Sequence, residues 1–232
     1  MMNSARPNNG NGKIRSIVFD FDGTLAELLL DFALMKSNLG TLVEKYLPGP
    51  VAPPSLPALE WLEELATAIG HRDGTAAEDF RREAHRMISE MEMEAAHHGR
   101  LFSFTRPLLT ELRQLGLSAA IITRNCERAV RLVFPDLEDY CRAFLARDHV
   151  PLVKPHPDHL LRALDAMGSD SATSMMVGDH PLDIRTGKNA GILTAGVATG
   201  KTTPGELSRS GAHWTANNCM DLFRELKAAG WI

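Results

Sequence analysis

Two aspartates two residues apart, Asp20 and Asp22, close the apolar run Ile14-Arg15-Ser16-Ile17-Val18-Phe19 and are followed by Gly23-Thr24-Leu25. Carboxylates this close repel each other, so their placement calls for a cation, a proton or a nearby base. Other groups able to do chemistry stand at comparable points along the chain. Thr123-Arg124-Asn125 ends the run Leu117 to Thr123, and Lys154-Pro155 sits in a later loop. Gly178-Asp179 follows Ser174-Met175-Met176-Val177, with Asp183 four residues on. Acids, a hydroxyl and an ammonium that converge make a candidate cation-dependent site.

Convergence depends on the elements that carry these residues. Short apolar runs bounded by turn chemistry read as strands buried on both faces of a parallel sheet. In an open sheet of that kind, ligands bind beyond the carboxyl ends of the strands, where every group named above would lie. Gly23 can take the positive φ that lets the chain turn sharply off its strand. After Ser103 strands and helices alternate. Helices are expected over Thr105 to Leu115 (with Thr105 as cap), Asn125 to Phe134, Pro157 to Met167, Pro181 to Ala190 and Met220 to Ala229. Strands are expected at Ile14 to Asp20, Leu117 to Thr123, Phe144 to Ala146, Ser174 to Val177 and Ile192 to Val197, with another near Ala212 to Thr215. The fold class is therefore α/β: a Rossmann-like parallel sheet flanked by helices.

Residues 26–100 break that rhythm. A helical pattern starts at Glu27 and runs towards Tyr46, five prolines interrupt between Pro48 and Pro57, and two further helices cover Pro57 to Ile69 and Ala76 to His97. This block reads as an inserted all-helical cap domain, leaving 14–25 and 101–232 as the α/β core. Its Arg81, Arg82 and Arg86 interleave with Glu78, Glu83, Glu90 and Glu94, giving either a solvated face or a surface for an anionic substrate. Residues 1–13, rich in asparagine and glycine, read as a disordered tail.

The 232 residues are 44% apolar and 23% charged, as in ordinary globular proteins. A formal net charge of −4 gives no basis for a nucleic-acid partner, and no apolar stretch is long enough to cross a membrane. Three cysteines without metal-site spacing fit a reducing, cytoplasmic setting.

The ordered set Asp20-Phe21-Asp22-Gly23-Thr24-Leu25, Thr123, Lys154 and Gly178-Asp179-His180-Pro181-Leu182-Asp183 resembles the four motifs of the haloacid dehalogenase superfamily, mostly phosphatases. The likeness spans about Ile14 to Val197 and includes a helical cap between the first and second motifs. The resemblance implies hydrolysis of a small-molecule phosphate monoester. Asp20 would be the nucleophile that forms an aspartyl-phosphate, and Asp22 the acid and then the base. Mg²⁺ would be held by Asp20, Asp179 and the Asp22 main-chain carbonyl, with Asp183 acting through water or orienting the site. Thr123 would bind phosphate together with backbone N–H groups of Phe21, Asp22 and Arg124, and Lys154 would neutralise Asp20 and the phosphoryl group. Arg124 and Asn125 either touch phosphate or hold their loop.

Within the family, Asp22 argues for phosphoryl transfer over dehalogenation. Lys36 and Lys45 are the cap lysines available for Schiff-base chemistry, and neither lies in an apolar pattern. The segment Leu152 to Asp158 looks most like phosphoglycolate-phosphatase-type members, although these more often carry asparagine then lysine where this chain has Arg124-Asn125. A phosphomutase uses the same residues and is the alternative; a non-catalytic phospho-acceptor resembling receiver domains is another. Monomer and homodimer are both compatible with the sequence.

Overall fold

The computed structural model describes residues 13–232; the expected tail, apart from Lys13, lies outside the described residues. Among the described residues two compact units emerge, one of residues 13–28 and 98–232 and one of residues 29–97.

The larger unit is built on strands β1 (Ser16–Phe19), β4 (Ser118–Ile122), β5 (Ala143–Leu145), β6 (Ser174–Gly178), β7 (Leu193–Val197) and β8 (Trp214–Ala216). They form a parallel sheet in the order β5-β4-β1-β6-β7-β8. Helices α4 (Thr105–Gln114), α5 (Glu127–Val133), α6 (Pro157–Met167), α7 (Pro181–Asn189), α8 (Pro204–Arg209) and α9 (Cys219–Ala228) connect or follow the strands. The sheet is central because β1 is buried throughout: Val18 packs with Ala120, Ile122 and Met176, and with Leu160, Ala163 and Leu164 of α6. The all-α/β expectation for this part of the chain holds.

Register matters most for function. Phe19 lies opposite Ile121 on one side and Val177 on the other. Asp20 therefore leaves its strand level with the exits that lead to Thr123 and Asp179. The Asp20 N–H still donates to Val177 O at 2.8 Å, and that of Thr123 to Leu145 O at 3.1 Å. Strand edges set this alignment, so a one-residue slip would turn every side chain to the other face.

Two short strands, β2 (Ala26–Glu27) and β3 (Arg100–Leu101), pair antiparallel, with Ala26 opposite Leu101 and Glu27 opposite Arg100. The helix expected from Glu27 instead begins later, because the chain is extended at 26–27 and Asp31 caps the first helix by accepting from Leu34 N at 2.9 Å. Thr105 is not the cap of α4. It lies inside the helix, buried, and its hydroxyl donates to Leu25 O.

The smaller unit holds α1 (Phe32–Val43), α2 (Ala58–Gly70) and α3 (Gly74–His98, which ends at the boundary). Leu39, Trp61, Leu62, Phe80, Ala84 and Ile88 form its own core. Arg81 pairs with Glu63, Arg82 with Asp79 and Arg86 with Glu90, which makes that charged surface a solvated, self-neutralised face. Lys45 pairs with Glu83, and Lys36 donates to Pro54 O. Among the described residues no helix is long and apolar enough to cross a membrane. Cys126, Cys141 and Cys219 are unpaired by disulfides and buried.

Candidate active site

The turn after β1 is wound tightly around one carbonyl. Phe21 O accepts from the N–H groups of Thr24, Leu25 and Ala26, at 3.3, 2.9 and 3.0 Å. Gly23 holds φ +76°, and a Cβ there would come within 2.5 Å of the Asp179 carboxyl carbon. Only glycine meets both demands, the left-handed backbone and the close approach.

Lys154 is the pivot of the site. Its side chain is 3% exposed, and Nζ lies 2.6 Å from Asp20 Oδ1 and 2.7 Å from Asp183 Oδ1. Burial disfavours the ammonium, but Asp183 and Asp20 outweigh it and hold its pKa above the ordinary lysine value. Asp183 sits in the first turn of α7, where its other oxygen accepts from His180 N at 3.1 Å. Behind Lys154 lies a fully buried imidazole: Lys154 N donates to His159 Nδ1 at 3.3 Å, and His159 Nε2 is 3.0 Å from Leu145 O. Burial pulls His159 down to about 4, so the ring is neutral, with Nδ1 accepting and Nε2–H donating.

Carboxylate oxygens of Asp20, Asp179 and Asp183 lie within 4.8 Å of one another. Thr24 Oγ1 donates to Asp179 Oδ1 at 3.4 Å. Burial pushes Asp20 up to about 6 against the pull of Lys154, and burial with the charges of Asp20, Asp183 and Asp22 pushes Asp179 up to about 8. One ammonium does not neutralise such a group, and protons or a metal ion must complete the balance. A hard divalent cation fits: all three donors are carboxylate oxygens, and glycines stand where side chains would obstruct them. Gly23 borders Asp179, as does Gly200 from the loop after β7, where a Cβ would overlap the carboxylate.

The Asp22 carboxylate stands apart from that cluster. Its Oδ1 accepts from Leu28 N at 2.9 Å, and burial raises it to about 7, opposed by the Leu28 N–H. Thr123, buried at the end of β4, accepts from Asn125 N at 3.2 Å through Oγ1, leaving its hydroxyl proton for another acceptor. Arg124 donates from its guanidinium to Lys154 O at 3.0 Å, and Arg147 donates to Arg124 O at 2.7 Å. These two arginines brace the Thr123 loop against the Lys154 loop. Asn125 Nδ2 is buried without a hydrogen-bond partner among the described residues.

Sequence reasoning named Asp20, Asp22, Thr123, Arg124, Asn125, Lys154, Asp179 and Asp183. It did not name His159, Arg147, Thr199 or Gly200, and it gave Thr24 no role beyond its place in the first motif. The capping box Thr203-Pro204-Gly205-Glu206 marks the start of α8 and could have fixed the end of the loop that holds Thr199 and Gly200.

Comparison with known proteins agrees with this geometry. The family described as haloacid dehalogenase-like hydrolase matches residues 17–197. A phosphoglycolate phosphatase of Neisseria meningitidis is 30% identical over 226 residues, covering 92% of this chain and 94% of its own. An N-acetylmuramic acid 6-phosphate phosphatase of Pseudomonas aeruginosa is 27% identical over 222 residues, covering 92% and 93%. The crystal structure of a hydrolase from Pseudomonas syringae shares the fold with a TM-score of 0.63 at 20% identity, covering 92% of this chain and 98% of that one. With its parallel sheet, its acids at the strand ends and a family match over most of its length, the chain belongs to the haloacid dehalogenase-like hydrolases.

Proposed function

We propose that this hydrolase is a Mg²⁺-dependent phosphatase that cleaves a small phosphate monoester, phosphoglycolate-like or another phosphorylated metabolite, through an aspartyl-phosphate on Asp20. The observation that carries the reading is the Lys154 ammonium placed between Asp20 and Asp183, beside Asp179. Naming of two relatives as phosphatases supports it.

Asp20 attacks phosphorus as the carboxylate, a form that Lys154 favours. The bond between phosphorus and the ester oxygen breaks, and Asp22 gives its proton to the departing oxygen. A pKa near 7 suits that residue to both donating and accepting at neutral pH. Water then attacks the phosphorus of the aspartyl-phosphate, Asp22 takes its proton, and inorganic phosphate leaves with Asp20 regenerated. Thr123 donates its free hydroxyl proton to a phosphoryl oxygen. Asp20, Asp179 and the Asp22 carbonyl would hold the ion, with Asp183 orienting it. Mg²⁺, when bound, offsets the negative charge of the carboxylates and of the phosphoryl oxygens.

Release of inorganic phosphate from a panel of small esters, with and without Mg²⁺, tests this alongside Asp20→Asn. Turnover that needs Mg²⁺ and vanishes in the variant is expected. Turnover that survives in Asp20→Asn overturns the assignment.

A further inference from the structure

The Asp179 carboxylate lies between two glycine backbones. A Cβ on Gly23 would come within 2.5 Å of its carboxyl carbon, and a Cβ on Gly200 would overlap Oδ2. Gly23 belongs to the turn after β1 and Gly200 to the loop after β7, so two separate segments close on one carboxylate. The tie between them is a side-chain hydrogen bond: Thr199 Oγ1 donates to Gly23 O at 2.6 Å. Both ends of the loop that carries Thr199 are anchored. Ala198 N donates to Ala216 O of β8 at 3.0 Å, and Thr203 caps α8, its Oγ1 accepting from Glu206 N at 3.3 Å. Thr199 therefore reaches the turn from a fixed base.

The carbonyl it holds sits between two groups of that turn that bear on the metal. One peptide earlier is the Asp22 carbonyl, assigned above to the ion. One residue later is Thr24, whose Oγ1 donates to Asp179 Oδ1 at 3.4 Å. Gly23, with φ +76° and no side chain, has nothing of its own to hold the turn in place. Cys219 Sγ donates to the next carbonyl, Thr24 O, at 3.4 Å, but a thiol is a weak donor. Mg²⁺ demands near-ideal octahedral geometry at short distances, whereas Ca²⁺ accepts longer and less regular contacts, so rigidity of the ligands decides between the two.

We infer that Thr199 is a positioning residue that sets the metal preference. By tying Gly23 to the loop after β7, it holds the Asp22 carbonyl and the Asp179 carboxylate at the spacing of a small octahedral ion, and so favours Mg²⁺ over Ca²⁺. This inference rests on the metal assignment proposed above.

The test titrates Mg²⁺ and Ca²⁺ separately into the metal-free full chain and reads each Kd from the rise in melting temperature. Thr199→Val, which keeps the shape and removes the hydroxyl, should weaken Mg²⁺ binding about tenfold, as usual for loss of a group that orients a metal ligand. Ca²⁺ binding should weaken much less. Thr199→Ser, which keeps the donor, should retain the native preference. Thr199→Ala, smaller and without the donor, gives the same comparison should the valine chain not fold. A ratio of Ca²⁺ to Mg²⁺ Kd that stays native without the hydroxyl overturns the inference, whether both ions weaken equally or neither does, and however far the metal-free melting temperature falls. A native chain whose melting temperature rises with neither ion overturns the metal assignment itself, and this inference falls with it.

Discussion

Lys154 Nζ and Asp183 Oδ1 are 2.7 Å apart with both side chains almost wholly buried. Removing one partner of a buried ion pair leaves a charge without compensation. Lys154→Met should abolish phosphate release and destabilise the metal-free protein by about 3–5 kcal/mol. Lys154→Met combined with Asp183→Asn should regain part of that stability without activity. Denaturant unfolding decides it; a single variant as stable as the parent contradicts the account.

The acids make a pH signature. Asp20, Asp22 and Asp179 have folded values of about 6, 7 and 8, all above the ordinary carboxyl range. The folded state thus keeps protons that the unfolded chain has given up, and the stability they contribute is lost as pH rises through those values. His159 runs the other way, with a folded value of about 4 against an ordinary 6.5, so its contribution is complete above 6.5 and lost towards 4. Between about pH 7 and 9 Asp22 and Asp179 still titrate, and the buried Cys141 and Cys219 thiols, whose pKa burial raises, act in the same direction, so the metal-free protein should lose stability across that window. Added Mg²⁺ should restore most of it. A melting temperature that rises over the same window in chelator would count against this arrangement.

Glycines around Asp179 allow a direct metal test. Gly23→Ala meets both a left-handed backbone and a clash, whereas Gly200→Ala meets the clash alone. Backbone strain of about 1–2 kcal/mol should separate the two in unfolding experiments. Both should weaken the Mg²⁺-induced rise in melting temperature. An undiminished rise in both variants would show that Asp179 is not a ligand.

His159 should matter through Lys154. Substitution by leucine removes the acceptor of Lys154 N and the donor to Leu145 O, each costing about 1–3 kcal/mol when left unpaired. The loosened lysine should lower kcat by about tenfold or more, with KM little changed. His159→Asn, which can still accept from Lys154 N, should recover kcat more than stability. If kcat in the asparagine variant is no better than with leucine, the ring does not position the lysine.

The position of each acid was legible because it follows a run of buried apolar residues, as at Val18-Phe19-Asp20 and Met176-Val177-Gly178-Asp179. A parallel sheet then brings those ends together by its register. What remained hidden lacked a pattern of its own. β2 and β3 are two residues each, too short for any period, and were absorbed into the helical block. His159 sits on the buried face of α6 among leucines and alanines, where only its contacts reveal a polar task. Thr105 carries the residue type of a cap, yet its hydroxyl was needed by Leu25 O instead.

The two-residue ladder of β2 and β3 has a wider consequence. Because Ala26 faces Leu101 and Glu27 faces Arg100, the chain departs from the sheet-bearing unit and returns to it at a single doorway. Everything inserted through that doorway, residues 29–97, has a hydrophobic interior of its own. Substitutions and even length changes there should leave the alignment of β1, β4 and β6 intact. The polypeptide thus divides into a portion that reaction chemistry holds fixed and a portion free to drift, and descendants of this sequence can diversify one without endangering the other.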